Sequence, residues 1–141
     1  MKIAAIDLGD ARTGIAVSDE SATLAGETTV ISEWNTERRF ERVAEFLSLR
    51  KITKVVVGNP INMDGSRGER SAKAEDFASR LAEATGADVI LWDERRTTVE
   101  AHSILTQTGV HGKKRRGVVD AVAASLILEG YLLKLKGEIT R

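Results

Sequence analysis

Residues 3–18 read IAAIDLGDARTGIAVS, and this stretch decides the fold. It holds two short apolar runs, 3–8 and 13–18, separated by four residues that begin at Gly9. Apolar runs of this length between turn residues are typical of buried strands. Because so short a connection joins antiparallel neighbours, and because a third, β-branched run follows at 27–32, we expect the chain to begin with a three-stranded antiparallel meander.

From residue 35 onward the sequence alternates between helical and extended patterns. The first helix has Asn35 or Thr36 as its cap. The later elements are a strand at 54–57, a helix that carries Phe77 and ends at Gly86, a strand at 88–92, a helix from the capping box Thr97–Glu100 to Gly109, a basic loop at 110–117 and a last helix at 118–135. This order, βββαβαβαα, predicts one α/β domain over residues 1–141, with a five-stranded mixed sheet flanked by helices.

The composition restricts the chemistry. The 141 residues include no cysteine and two histidines, which excludes disulfides, thiolate zinc sites and thiol nucleophiles. A metal ion would therefore be bound mainly through oxygen, and carboxylate oxygens suit Mg²⁺ or Mn²⁺. No apolar run approaches the roughly 20 residues of a membrane-spanning helix, and acidic Asp7 comes too early for a secretory signal, so we expect a cytoplasmic protein.

Acidic residues stand where the predicted strands end. Asp7 closes the first strand, and Asp93 and Glu94 follow the fifth. Sites in open α/β sheets lie at the carboxyl ends of parallel strands, and only one of two consecutive strand residues can face such a site. Asp120 lies among valines and alanines near the start of the last predicted helix. Structural explanations stay open, since Asp7 could cap a turn and Asp120 could face the helix dipole.

Basic residues are concentrated locally, although 21 basic and 21 acidic residues leave the chain without net charge. The densest run is 113–116, and its four like charges between two glycines predict a mobile loop at 110–117. A local basic track can bind nucleic acid even when the overall charge is zero. Trp34 and Trp92 are expected to be core or edge aromatics rather than base-stacking residues.

Four segments together resemble the YqgF/RuvX family, whose members are described as Holliday-junction resolvases or pre-16S rRNA nucleases. In the family's order they are DLGDARTGIAVSD at 7–19, VGNPINMDGS at 57–66, DERRTT at 93–98 and KKRRGVVDAVAA at 113–124. The resemblance spans nearly the whole chain and implies a ribonuclease-H-like fold. Thr13, Asn59 and Arg96 stand where the family usually has aliphatic residues, and we expect these departures to bear on substrate contacts.

The resemblance implies a metal-dependent nuclease that hydrolyses phosphodiester bonds. Two Mg²⁺ or Mn²⁺ ions, about 3.5–4 Å apart in such sites, would be held by Asp7, Glu94 and Asp120, with Asp93 as the alternative to Glu94. The partner would be a structured RNA precursor or branched DNA. Its phosphates would be bound by the basic residues Arg12, Arg95, Lys113, Lys114, Arg115 and Arg116.

The favoured role is processing of the 5′ end of pre-16S rRNA in ribosome biogenesis. A Holliday-junction resolvase of DNA recombination and repair is the first alternative, and it would need a homodimer to cut symmetrically. A catalytically silent nucleic-acid-binding module is the second. Whether the chain is a monomer or a homodimer stays open. An ATP-binding domain of the actin and sugar-kinase type also uses Asp-x-Gly, but it needs two domains, and this chain has the length of one.

Overall fold

A computed structural model describes residues 1–22, 25–61, 64–93 and 112–139, with the side chains of the last range described from 120 to 137. One sheet is formed in the order β3-β2-β1-β4-β5. Strands β1, β2 and β3 pair antiparallel, whereas β1, β4 and β5 pair parallel, which confirms the predicted mixed sheet. The strand bounds are β1 Ile3–Leu8, β2 Arg12–Ser18, β3 Ala25–Ser32, β4 Lys54–Asn59 and β5 Asp88–Asp93.

The described helices are α1 Thr36–Leu49, α2 Glu69–Thr85 and α3 Gly112–Ile139. Asn35 caps α1, because its side chain accepts a hydrogen bond from the backbone N–H of Arg38 at 3.0 Å. Helix α2 ends at Gly86, as predicted. The helix predicted at 97–109 lies outside the described residues. None of the described helices is both long and apolar enough to cross a membrane.

The loop prediction is wrong for residues 112–117, because α3 already begins at Gly112. Lysine and arginine have high helix propensity, and no proline interrupts the segment. The two glycines cost helix stability but do not end the helix. The basic run 113–116 is therefore part of the helix that carries Asp120. Residues 110 and 111 lie outside the described part of the chain.

Each face of the sheet carries its own apolar layer. Ala4 and Ile6 of β1 belong to the layer that packs against α1 and α2. Ile3 and Ala5 belong to the opposite layer, which packs against α3. Because strand residues alternate between faces, this division tells which face each later residue of β1 occupies.

Candidate active site

Asp7 lies one residue before the end of β1, on the face that α3 covers. It alternates with Ile3 and Ala5, which pack beneath α3, and it is only half-buried. The parallel strands β1, β4 and β5 end at the same edge of the sheet, so Asp7 lies at the edge where the sequence predicted a site.

Helix α3 brings Asp120 to this edge by crossing β2 at Gly14, the register partner of Asp7. A Cβ atom at Gly14 would overlap the carbonyl oxygen of Asp120 and lie 2.6 Å from its carbonyl carbon. Only glycine permits so close a contact between strand and helix backbones. Asp120 also follows Gly112 by eight residues, so it is not a first-turn acid, and the helix dipole does not explain it.

Arg12 places a cation beside Asp120. Its Nε donates to Oδ2 of Asp120 at 3.3 Å, and its side chain is 36% exposed. The preceding turn is closed by a hydrogen bond of 2.9 Å from the backbone N–H of Gly9 to the carbonyl oxygen of Arg12. A Cβ atom at Gly9 would overlap that same oxygen, so this turn also requires glycine. The tight turn thus presents Arg12 to the acidic pair.

The electrostatics of the site disfavour the charged form of Asp120. Burial of the carboxyl raises the pKa of Asp120 to about 6, with a further contribution from the charge of Asp7. Arg12 lowers this pKa by its charge and its hydrogen bond, and the charge of Arg70 lowers it as well, but neither offsets the burial. Two carboxylates therefore lie near each other and burial disfavours the charged form of one of them, a combination that is common at functional sites.

The strand register separates Asp93 from this pair. Asp93 is aligned with Asn59 of the neighbouring parallel strand, and the side chain of Asn59 accepts a hydrogen bond of 2.6 Å from the hydroxyl of Ser71 on α2. Trp92, by contrast, packs in the layer beneath α3. Asp93 therefore occupies the α2 face, opposite Asp7. Glu94 and Arg95 lie outside the described residues, as do the side chains of 113–116.

The donor set at the edge fits a hard divalent cation. Within the described ranges no three acidic or histidine side chains form a metal-binding cluster, and the two acids that come together at this edge are Asp7 and Asp120. Their carboxylates provide oxygen donors and negative charge, which Mg²⁺ or Mn²⁺ requires. A third donor would have to come from beyond the described residues.

Two of the three residues that depart from the family pattern, Thr13 and Asn59, are described by the structure, and both are buried. Thr13 is fully buried, and its hydroxyl finds no hydrogen-bond partner in the described part of the chain. Asn59 is also buried and is held by Ser71. Both side chains lie on the face of α1 and α2. That they bear on substrate contacts stays a prediction. Arg96 lies outside the described residues.

Sequence reasoning missed two residues near this edge. Arg70 begins α2, far from Asp120 in sequence, yet its charge lowers the pKa of Asp120. Trp34 is 80% exposed and follows the edge strand β3, so it is not a core aromatic, whereas Trp92 packs against Tyr131. No motif marks either residue. The one available signal was the position of Trp34 directly before a helix cap, since the first turn of a helix is commonly exposed.

Comparison with known proteins agrees with this architecture. The family described as "RuvX: Holliday junction resolvase" matches residues 1–134. A protein of Ruminiclostridium cellulolyticum named "Putative pre-16S rRNA nuclease" is 37% identical over 138 residues, which cover 97% of each chain. A protein of the same name from Halothermothrix orenii is 42% identical over 132 residues, which cover 94% of each chain.

A solved structure shares the fold. The Fowlpox virus resolvase, in complex with Holliday junction DNA, superposes with a TM-score of 0.62 at 14% identity and covers 96% of this chain and 99% of its own. At so low an identity the likeness concerns the fold alone. It supports the ribonuclease-H-like architecture that the strand order and the flanking helices define.

Proposed function

This chain belongs to the RuvX family, and from that membership we propose that it is a metal-dependent nuclease that processes the 5′ end of pre-16S rRNA. The observation that carries the proposal is the pair Asp7 and Asp120, which come together at the carboxyl edge of the sheet, where burial and the charge of Asp7 disfavour the ionised form of Asp120. The names of the relatives at 37% and 42% identity support rRNA as the substrate. That substrate would place the enzyme in the bacterial cytoplasm.

The third metal ligand in this proposal is Glu94 rather than Asp93. Residues of β5 alternate between faces, Trp92 packs beneath α3, and Asp93 occupies the α2 face with Asn59. In an extended chain, a residue two positions after Trp92 shares its face, and this is why Glu94 is proposed. When bound, Mg²⁺ or Mn²⁺ would lower the pKa of a water molecule and neutralise charge on the phosphate that is cut.

The chain's own residues bind and orient the nucleic acid. Arg12 uses only its Nε toward Asp120 within the described residues, so its other N–H groups can donate to a backbone phosphate. Arg95 and the basic run Lys113–Arg116 are proposed to bind further phosphates along the strand. Asp7 and Asp120, held by β1 and by the contact at Gly14, fix where the scissile phosphate must lie.

The proposal is tested by cleavage of RNA that carries the precursor 5′ extension of 16S rRNA, with Mg²⁺ or Mn²⁺. We expect Asp7→Asn, Asp120→Asn and Glu94→Gln to abolish cleavage and Asp93→Asn to retain it. In the metal-free protein Asp7→Asn should also raise the melting temperature, since it removes a charge that disfavours ionised Asp120. Lowered stability with full cleavage would instead show that Asp7 only caps a turn.

Junction resolution is the second candidate, since the matching family is described as a Holliday junction resolvase. The same preparation should then cut a four-way DNA junction symmetrically and behave as a dimer. Cleavage of the junction but not of the rRNA precursor would replace the first proposal with this one. Binding of both substrates without cleavage of either would identify a catalytically silent module.

A further inference from the structure

A groove of about 340 Å³ lies between the first halves of α1 and α2, beside the turn that follows β1. Its volume is at the lower end of the range of about 300–1,000 Å³ that is usual for ligand pockets. Leu8 contributes to the floor, together with Phe40 and Phe77, whose rings meet edge to face with centroids 5.6 Å apart. The groove thus has an apolar, aromatic floor on the face of the sheet opposite Asp7.

Trp34 forms part of the rim of this groove and is 80% exposed. A tryptophan left in water forgoes the large burial energy that an indole normally contributes, and an exposed aromatic ring next to charged residues is common in binding surfaces. The other tryptophan of the chain, Trp92, is packed in the core layer beneath α3. The exposed indole is therefore a candidate stacking surface for a planar ligand.

Two cations on the groove wall are free to bind a ligand. Arg70 forms no ion pair within the described residues, and Lys73 reaches only the highly exposed Glu69, at 3.8 Å. The other two cations are committed, since Arg39 is buried against backbone carbonyls and Arg80 pairs with Glu37 at 2.9 Å. Asp10 and Asp76 also line the groove.

The groove and the acidic pair lie at the same edge of the sheet. Arg70 lines the groove, yet it is near enough to Asp120 for its charge to lower the pKa of that carboxyl. Asp10 also lines the groove and stands in the short turn that delivers Arg12 to Asp120. Arg70 and the turn at 9–12 are thus shared between the surroundings of the groove and those of Asp120.

Resting on the proposed function, we propose that this groove binds a single-stranded part of the nucleic-acid substrate, with a base stacked on Trp34 and its phosphates beside Arg70 and Lys73. An exposed aromatic ring flanked by cations is the arrangement by which proteins bind single strands without sequence preference. A base paired within a duplex has no free face to stack on the indole. The groove thus gives the enzyme a preference for substrates whose cleavage site is flanked by unpaired nucleotides.

The test uses the full-length chain in EDTA, so that binding is measured without cleavage. Affinity is measured by the fluorescence anisotropy of a short, labelled single-stranded oligonucleotide, a signal that does not depend on Trp34. In the wild type the same strand should also quench tryptophan fluorescence, and a blunt duplex of the same sequence should bind and quench much less. Trp34→Ala should weaken single-strand binding by about 5- to 150-fold, the usual effect of removing one stacking ring. Leu49→Ala, an exposed apolar residue at the far end of α1, is the matched control and should bind as the wild type does.

The charged wall is tested in the same assay. Arg70→Gln with Lys73→Gln should weaken binding and flatten its salt dependence, whereas Arg38→Gln, an exposed arginine of α1 outside the groove, should change neither. With metal added, Trp34→Ala should raise the KM for a substrate with unpaired flanks and leave kcat unchanged. Unaltered affinity in Trp34→Ala, or equal quenching by a mononucleotide, would overturn the inference.

The experiments distinguish a failure of the groove proposal from a failure of the proposed function. If Trp34→Ala binds normally while the wild-type chain cleaves and Asp7→Asn does not, the groove is not the single-strand site, and the proposed function stands. If single strands bind through Trp34 but Asp7→Asn cleaves as well as the wild type does, the groove is established, and the proposed catalytic site is wrong.

Discussion

Asp120 is a carboxylate whose ionised form the fold disfavours, and this has a consequence for stability. Its pKa is raised from 3.8 to about 6, so the folded chain binds a proton more tightly than the unfolded chain does. This tighter proton binding stabilises the folded chain. The stabilisation is fully present below pH 3.8 and is lost as the pH rises through 6. In metal-free buffer the loss should be at most on the order of 2–3 kcal/mol.

Asp120→Asn should remove this dependence. We expect thermal melts in EDTA to show a higher melting temperature for the variant than for the wild type at about pH 7.5, and a difference that shrinks toward about pH 4, where wild-type Asp120 is protonated. Glu129→Gln, at an exposed position of the same helix, is the control and should show no such pH-dependent difference. A difference between Asp120→Asn and the wild type that is constant with pH would contradict the raised pKa.

A candidate site residue could be predicted from sequence when its position within a strand or a helix was enough to mark it. Asp7 at the end of an apolar strand and Asp120 among alanines were both identified, and the structure brings them together. Arg70 and Trp34 were not identified, because their importance depends on neighbours in space that no periodicity reveals. The face that Asp93 occupies needed the register of β5 against β4, whereas Glu94 as a ligand stays a proposal.

At the scale of elements, the contact between α3 and β2 depends on the missing side chain at Gly14. Gly14→Ala would push its Cβ into the carbonyl group of Asp120, which belongs to the helix backbone and cannot rotate away. We expect a loss of about 1–3 kcal/mol, as for other overpacked sites, together with reduced cleavage because Asp120 moves. Chemical unfolding in urea measures the first effect, and a single-turnover assay measures the second.

Gly137→Ala is the matched control for this substitution. Gly137 also lies in α3, but a Cβ atom there would meet nothing within 4 Å. Alanine in a helix interior is more stable than glycine by roughly 0.5–1 kcal/mol, so this variant should be slightly stabilised. Equal effects of the two substitutions would show that the approach of α3 to Gly14 is not tight.

Strands and helices were predicted correctly where apolar residues recur with a clear period. The prediction failed where a run of basic residues was interpreted as a loop. The five strands and the first two helices were expected from alternation and from caps such as Asn35 and Gly86. The start of α3 was placed six residues too late, because the basic run 113–116 was taken for a loop. Its residues are good helix formers, and the apolar helix that follows supplies the packing energy for the whole element.

Across the whole molecule, acidic and basic side chains are concentrated in different places, although the net charge is zero. Acidic side chains meet at Asp7 and Asp120, and the basic run lies at the start of α3. Arg70 and Lys73, which have no strong partner among the described residues, line the groove. A neutral chain gains little from long-range attraction to nucleic acid, so binding must come from a few local interactions. Its affinity should therefore depend on salt through a small number of identifiable cations.

The helical conformation of the basic run makes that expectation specific. Positions 113 and 116 precede Asp120 by seven and four residues, so they fall on the same stripe of α3 as Asp120, whereas 114 and 115 do not. We expect Lys113→Gln with Arg116→Gln to weaken binding of every sequence and to reduce the slope of log affinity against log salt by roughly 0.7 for each phosphate that is no longer neutralised. Lys114→Gln with Arg115→Gln removes the same charge from positions that are not on this stripe. This second pair should weaken binding too, but with a smaller change in affinity and slope. Binding isotherms over a range of salt concentrations measure the affinity and the slope. Equal losses of affinity and slope in the two double variants would mean that the basic run acts through its charge alone, without a fixed path for the strand to Asp120.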